Sequence, residues 1–320
     1  MNTSSTIIHH VTIALTVAIN AVSVGIGEGI AGSAALKALN TQPGARSEIT
    51  KIAILGMALI ETAAIMGVSI AMILLLTPGK TPDIYFSLSE IGIAAAICVP
   101  GFFVGLVSAR PTQAACMAAA RQPFFAEKIM RFMLISQSLI QTPIVFGFIV
   151  AMFIKSQAVS IDTLAEALRL IASGVCIGFG SIGPALGMSS FARTACEAIG
   201  TNRNCYNQLL TFTFISEAII ETPIIFSLVV AMLLLSSTTT TSTHPLLSGI
   251  AMLAAAFSIG IGTIGPGIGS GGIAASACKQ IAAHPEHYGL MSRLSMFGQG
   301  LIDTCAIYAL LIAIMLILWV

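Results

Sequence analysis

Three acids, Glu61, Glu221 and Asp303, lie deep in apolar runs, and each is followed by a threonine (Thr62, Thr222, Thr304). With Gln141-Thr142 they occupy positions 61, 141, 221 and 303, at intervals of 80, 80 and 82 residues. Glu61 has about 12 residues of its run before it and about 15 after it, which at 1.5 Å per residue puts it near the middle of a bilayer. A charged carboxyl there costs roughly 2.5 to 3.5 kcal/mol on insertion scales. Such a group exchanges between a neutral form that lipid tolerates and a charged form that needs a counter-charge or water. Its chemistry is the uptake and release of one monovalent cation per site. A packing role suffices for one such acid, but recurrence at one register in three of four places argues for a carrier. The adjacent threonines can donate to, or accept from, the bound species. Pro143 and Pro223, two residues past the key position, are expected to bend their helix and free a carbonyl. Two further acids, Glu28 and Glu217, also lie in apolar runs. Glu217 stands one turn before Glu221 on the same face, where Gln137 and Gln299 stand in other copies. It is either a partner that tunes the paired acid or a protonated acid bonded to a neighbouring helix. Glu28 is likewise either a ligand or a structural bond.

The elements that position these groups belong to a membrane. Of 320 residues, 56% are hydrophobic and 8% charged, with a mean hydropathy of +0.97; a soluble domain carries about 25% charged residues. A net charge of +1 leaves no field to hold nucleic acid. Seven cysteines form no CxxC or Cys/His ligand spacing and read as reduced packing residues. Met1 to His10 carries no Lys or Arg, so the first run is expected to stay as a membrane helix rather than a cleaved signal, with His9 and His10 at the interface. Trp319 fits an interfacial anchor. Apolar stretches at roughly 7–39, 50–76, 85–119, 129–154, 164–198, 208–235, 246–282 and 290–320 predict eight spans. Between them, polar turns (Asn40 to Glu48, Arg121 to Lys128, Gly200 to Asn207, Ala283 to Tyr288) alternate with spacers (Thr77 to Ser89, Lys155 to Asp162, Ser236 to His244). All fourteen Lys and Arg except Lys80, Lys155 and Arg169 lie at or near the turns, so the positive-inside rule puts the turns in the cytoplasm and both termini outside.

The same hairpin is written four times. Ile-Met-Gly-Val-Ser-Ile-Ala-Met at 65–72 matches Phe-Gly-Phe-Ile-Val-Ala-Met at 146–152 and Phe-Ser-Leu-Val-Val-Ala-Met at 226–232. The expected fold is an all-α membrane protein of eight helices in four tandem parallel hairpins, over residues 1–80, 81–160, 161–242 and 243–320. An even number of spans per unit keeps every copy facing the same way, unlike an inverted repeat. The first helix of each hairpin is glycine-rich, without the Lys or strand of a phosphate-binding loop. Close-spaced glycines predict a crowded inner layer of first helices, with the bulkier second helices outside.

A glycine-rich first helix, the turn Arg121-Gln122-Pro123 with its variant Thr41-Gln42-Pro43, and a mid-helix acid or amide 18 residues after the proline (Glu61, Gln141) resemble the c-type rotor proteolipid of F-type ATP synthases. The resemblance covers nearly the whole chain and implies part of a two-layered rotor ring in the cell (inner) membrane, made of copies of the chain in lipid. It implies a non-catalytic subunit without a cofactor, coupling ion flow to ATP synthesis. Glu61, Glu221 and Asp303 would carry the ion past the stator's a-type subunit, and the turns, most clearly Gln42, Pro43, Arg121, Gln122 and Pro123, would meet the central stalk. The turns Thr201-Asn202-Arg203 and Ala283-His284-Pro285 depart from the motif, and Gln141 cannot carry a proton, which leaves one hairpin silent. Sodium-binding members add first-helix and hydroxyl oxygens and a tyrosine. The matching positions here are Glu28, Thr62 and Met66; Met188, Thr222 and Phe226; and Ser270, Thr304 and Tyr308. Copy three lacks the oxygens a hard cation needs, so protons are favoured over sodium. A multi-hairpin proteolipid of V-type ATPases and a stand-alone channel or transporter are the alternatives.

Overall fold

The structure is a computed structural model describing residues 3–76, 84–237 and 244–319. Among the described residues eight helices are long and apolar enough to span a membrane. They are α1 (Ser4–Thr41), α2 (Pro43–Leu76), α3 (Ile84–Arg121), α4 (Pro123–Ala158), α5 (Leu164–Thr201), α6 (Arg203–Ser236), α7 (Pro245–Ala283) and α8 (Pro285–Trp319). At 34 to 39 residues each exceeds the hydrocarbon thickness, so the ends reach the headgroup region. Residues 77–83 and 238–243 of the expected spacers lie outside the described residues. The other limits of the spacers are corrected: α3 begins at Ile84 and α4 continues to Ala158, because both stretches prolong the adjoining helix.

Each hairpin closes with the same device. One extended residue (Gln42, Gln122, Asn202, His284) precedes a three-residue 3-10 turn. Proline opens that turn in three copies, where its fixed φ and missing N–H cost nothing. The third copy has Arg203 there, and the Asn202 side chain substitutes by accepting a hydrogen bond from the Asn204 N–H at 3.1 Å. A departure from the sequence motif thus leaves the turn intact.

The first helices α1, α3, α5 and α7 stand side by side in one row, and α2, α4, α6 and α8 pack over it, each against its own first helix and, where one follows, the next. Glycine permits the inner row: a Cβ on Gly174 would fall on the Gly92 carbonyl oxygen, and one on Gly187 on that of Gly267. Away from the turns, Arg169 donates to Leu235 O at 2.7 Å and Leu234 O at 3.2 Å, and Gln157 donates to Leu235 O at 3.1 Å. These bonds satisfy the last carbonyls of α6, which a helix end otherwise leaves open.

Gly187→Val is expected to destabilise the chain by about 1 to 3 kcal/mol through overpacking, whereas Gly289→Val, where a Cβ meets nothing within 4 Å, is expected to be neutral. Thermal unfolding in detergent, followed by circular dichroism, checks the pair.

Candidate functional site

The four recurrent positions form one layer across the outer row. Each pairs with a first-helix residue 33 positions earlier: Glu28 with Glu61, Ser108 with Gln141, Met188 with Glu221, Ser270 with Asp303. Ser270 Oγ donates to Asp303 Oδ1 at 3.4 Å, and Gln141 Nε2 donates to Ser108 Oγ at 3.1 Å. Glu28 and Glu61 lie within electrostatic reach of one another. Met188 is buried and offers only a thioether. Ser108 completes the series, and its match to Glu28 and Ser270 was readable from the 33-residue offset alone.

Thr62 Oγ1 donates to Gln141 Oε1 of the following hairpin at 2.6 Å, and Thr142 of that hairpin lies close to Glu221. Thr222 and Thr304 donate to carbonyls of their own helices, at 3.1 Å to Ala218 O and 2.7 Å to Leu301 O. A residue next in sequence points about 100° away around a helix, so Thr62 meets the neighbouring hairpin. Backbone bonding runs through Glu61, whose N–H donates to Met57 O at 3.0 Å, and α6 is continuous through Pro223.

The four sites differ in access. Glu61 is exposed, Glu221 half-buried and Asp303 buried. Gln141 is buried with both ends of its amide occupied, so it ties the first two hairpins together. Tyr308 is exposed on α8.

A second polar layer lies one turn closer to the turns, at Met57, Gln137, Glu217 and Gln299. Gln137 Nε2 donates to Gly56 O at 2.9 Å and Ser108 O at 3.2 Å, while accepting from Thr112 at 3.1 Å. Gln299 Nε2 donates to Ser216 Oγ at 3.3 Å and Ser295 Oγ at 3.1 Å. Glu217 is fully enclosed beside Ser136, with no well-formed hydrogen bond to either carboxyl oxygen. In each case the residue reaches back to the preceding hairpin. Gln137, Glu217 and Gln299 are fully buried, whereas Met57 is half-buried.

One buried acid escaped the sequence. Glu90, six residues into α3, is fully buried with both oxygens 2.9 Å from His9 Nδ1, and the Lys155 ammonium sits 4.9 Å from the Phe86 ring nearby. It lay at the edge of a segment read as spacer, and His9 is a partner for it rather than a bare interface flank. At the turns, Gln122 donates to Gly200 O and Asn202 to Ala282 O, both at 2.9 Å, binding each turn to the next hairpin. Gln42 and Pro43 build the first turn as Gln122 and Pro123 build the second, Arg121 is exposed at the end of α3, and Phe124 projects fully into solvent beside it.

Four hairpins in two rows, with one recurrent polar layer across the outer row, match a known family. The family model for the C subunit of ATP synthase fits four times, at residues 11–74, 91–154, 171–234 and 253–316, together about four fifths of the chain. The chain belongs to the ATP synthase C-subunit family. Among curated relatives, an ATP synthase c-subunit of Cereibacter sphaeroides is 45% identical over 67 residues, 21% of this chain and 81% of the relative. The ATP synthase c-subunit of Thermotoga maritima is 40% identical over 77 residues, 23% of this chain and 91% of the relative. Its counterpart from Nostoc sp. is 37% identical over 73 residues, 23% and 90% of the respective chains. Each relative corresponds to one hairpin here, so this is a multi-pass membrane chain of four fused c-type hairpins.

Gln141→Leu removes both amide bonds and leaves Thr62 and Ser108 without that partner, an expected loss of about 1 to 3 kcal/mol. A double-mutant cycle with Thr62→Val, read by unfolding temperature, should show coupling between the two positions, and Thr62→Val combined with Glu61→Gln should show none.

Proposed function

We propose that this chain builds a rotor ring by head-to-tail closure of several copies, and that Glu61, Glu221 and Asp303 each carry one ion past a stator subunit, coupling ion flow to ring rotation and ATP synthesis. One observation carries the reading. Inside the chain Gly187 of α5 fits between Gly267 and Gly271 of α7, and the equivalent positions at the two free edges are Gly269 of α7 and Gly25 and Gly29 of α1. A Cβ on Gly25 or Gly29 meets nothing within 4 Å, and one on Gly269 meets only the Ile302 side chain. The two edges carry the unmatched halves of a contact already made within the chain. Matching them places Thr304 of one copy against the exposed Glu61 of the next, as Thr62 stands against Gln141.

Protons are the cargo this site set favours. Every site passes the same stator, so the poorest decides, and Glu221 has Thr142 but only Met188 on its first helix. With Gln141 held as a clamp, each chain carries three ions rather than four, which lowers the electrical work per revolution at about 2.3 kcal/mol per charge per 100 mV. The clustering of basic residues puts the turns on the cytoplasmic side, where the Arg121-Gln122-Pro123 turn and the projecting Phe124 offer a contact to the central stalk. The same turn favours an F-type assembly. Fusion of hairpins in one chain is the feature that favours a V-type proteolipid.

Gly29→Val should leave a folded chain that no longer assembles, so that the detergent-solubilised particle falls to the mass of one chain; a ring of unchanged mass would exclude this closure. Carbodiimide labelling with peptide mapping is expected at 61, 221 and 303 and not at 217. Protection by sodium would replace the proton reading with sodium, and labelling that follows pH alone would sustain it.

A further inference from the structure

One turn below the recurrent acids, the junction between hairpins two and three carries an acid where the junctions beside it carry amides. In copy four, Gln299 Nε2 donates to Ser216 Oγ of the preceding hairpin at 3.3 Å and to Ser295 Oγ, one turn earlier on its own helix, at 3.1 Å. The repeat carries those three positions onto Glu217, Ser136 and Thr213 in copy three. The two hydroxyls are therefore retained and only the hub between them changes. In copy two the hub is again an amide, Gln137, donating across its junction to Gly56 O at 2.9 Å.

The surroundings of Glu217 decide which form of the acid can stand there. Ser136, Thr213 and Glu217 are all fully buried. Ser138, Thr211 and Thr222 spend their hydroxyls on carbonyls of their own helices, but Ser136 and Thr213 do not. Both keep their bonding capacity at the level of the acid. The titratable groups in electrostatic reach of Glu217 are Cys196 of α5, Cys278 of α7 and Glu221 on its own helix, with no charged group from α4 or α8. None of them is a cation, and among the described residues no ion pair includes Glu217. An ionised carboxyl would thus be an enclosed and unpaired charge, whereas a neutral acid has two hydroxyls to bond. It would also set a like charge one turn from Glu221 whenever that acid gave up its own cation.

We propose that Glu217 holds a proton it does not exchange, and that the protonated carboxyl ties hairpin three to hairpin two as the amides of Gln299 and Gln137 tie the other junctions. A carboxylic acid offers the flanking hydroxyls one donor and one acceptor, which is how it can replace an amide. Because the locked acid is neutral, Glu221 can become charged without a like charge beside it. The inference concerns the packing of two hairpins inside one chain, so it stands or falls independently of ring closure and of the ion carried.

Infrared spectroscopy of the full chain in detergent tests the protonation. At about pH 7.5, where an exposed glutamate is ionised, the spectrum of the wild type minus that of Glu217→Gln should contain the C=O stretch of a protonated carboxyl. Carboxylate bands in that difference would overturn the proposal. Carbodiimide labelling of Glu221, followed by mass spectrometry across pH, should have the same midpoint in the wild type and in Glu217→Gln, since one neutral group replaces another. A shifted midpoint would mean that a charge had been removed, and would overturn it too. Thermal unfolding tests the tie: Glu217→Gln should match the wild type and Glu217→Leu should unfold at a lower temperature. A Gln variant less stable than the wild type, or a Leu variant equal to it, would defeat the tie.

Discussion

The close approach of first helices in the inner row is the constraint on which the rest depends. Where Gly174 meets the Gly92 carbonyl and Gly187 that of Gly267, backbones touch without an intervening side chain. In lipid no hydrophobic force draws helices together, so this van der Waals contact and a few hydrogen bonds must hold the row. That contact sets the height of each hairpin against the next. A shift of one residue would part Thr62 from Gln141 and Gln137 from the Gly56 carbonyl. Packing of small residues therefore governs the geometry of the recurrent polar layer, although it touches none of its members.

Polar groups inside the membrane are arranged in two layers with different tasks. The layer of Glu61, Gln141, Glu221 and Asp303 ranges from exposed Glu61 to buried Asp303. One turn below it Gln137, Glu217 and Gln299 are buried, and hydrogen bonds link copies one to two through Gln137 and three to four through Gln299. Two of the three junctions within the chain thus have a hydrogen-bonded tie at this level.

The fold was legible in the sequence because each level repeated the same message. Apolar length located the helices, the 80-residue period identified the hairpin, and clustered glycine foretold which helices stand inside. The register of Glu61, Gln141, Glu221 and Asp303 was equally plain, since a charge in lipid is costly enough to stand out. Glu90 was missed because its neighbours read as a connector, and its partner His9 lies 81 residues away. Phe124 was missed because a lone aromatic in a turn carries no signal until its exposure is known.

What the sequence determined by itself is the set of groups and their depth: four hairpins, three acids and one amide at one level, and no other place for the apolar runs than lipid. Which groups meet was decided only by the tertiary structure. Thr62 stands beside Glu61 in the chain yet bonds Gln141, and Gln137 lies 81 residues from the carbonyl it satisfies. Depth follows from a local count along a helix, at a fixed rise per residue. Partnership depends on the rotation and height of one hairpin against another, and those are set by backbone contact between glycines that the linear order does not bring together.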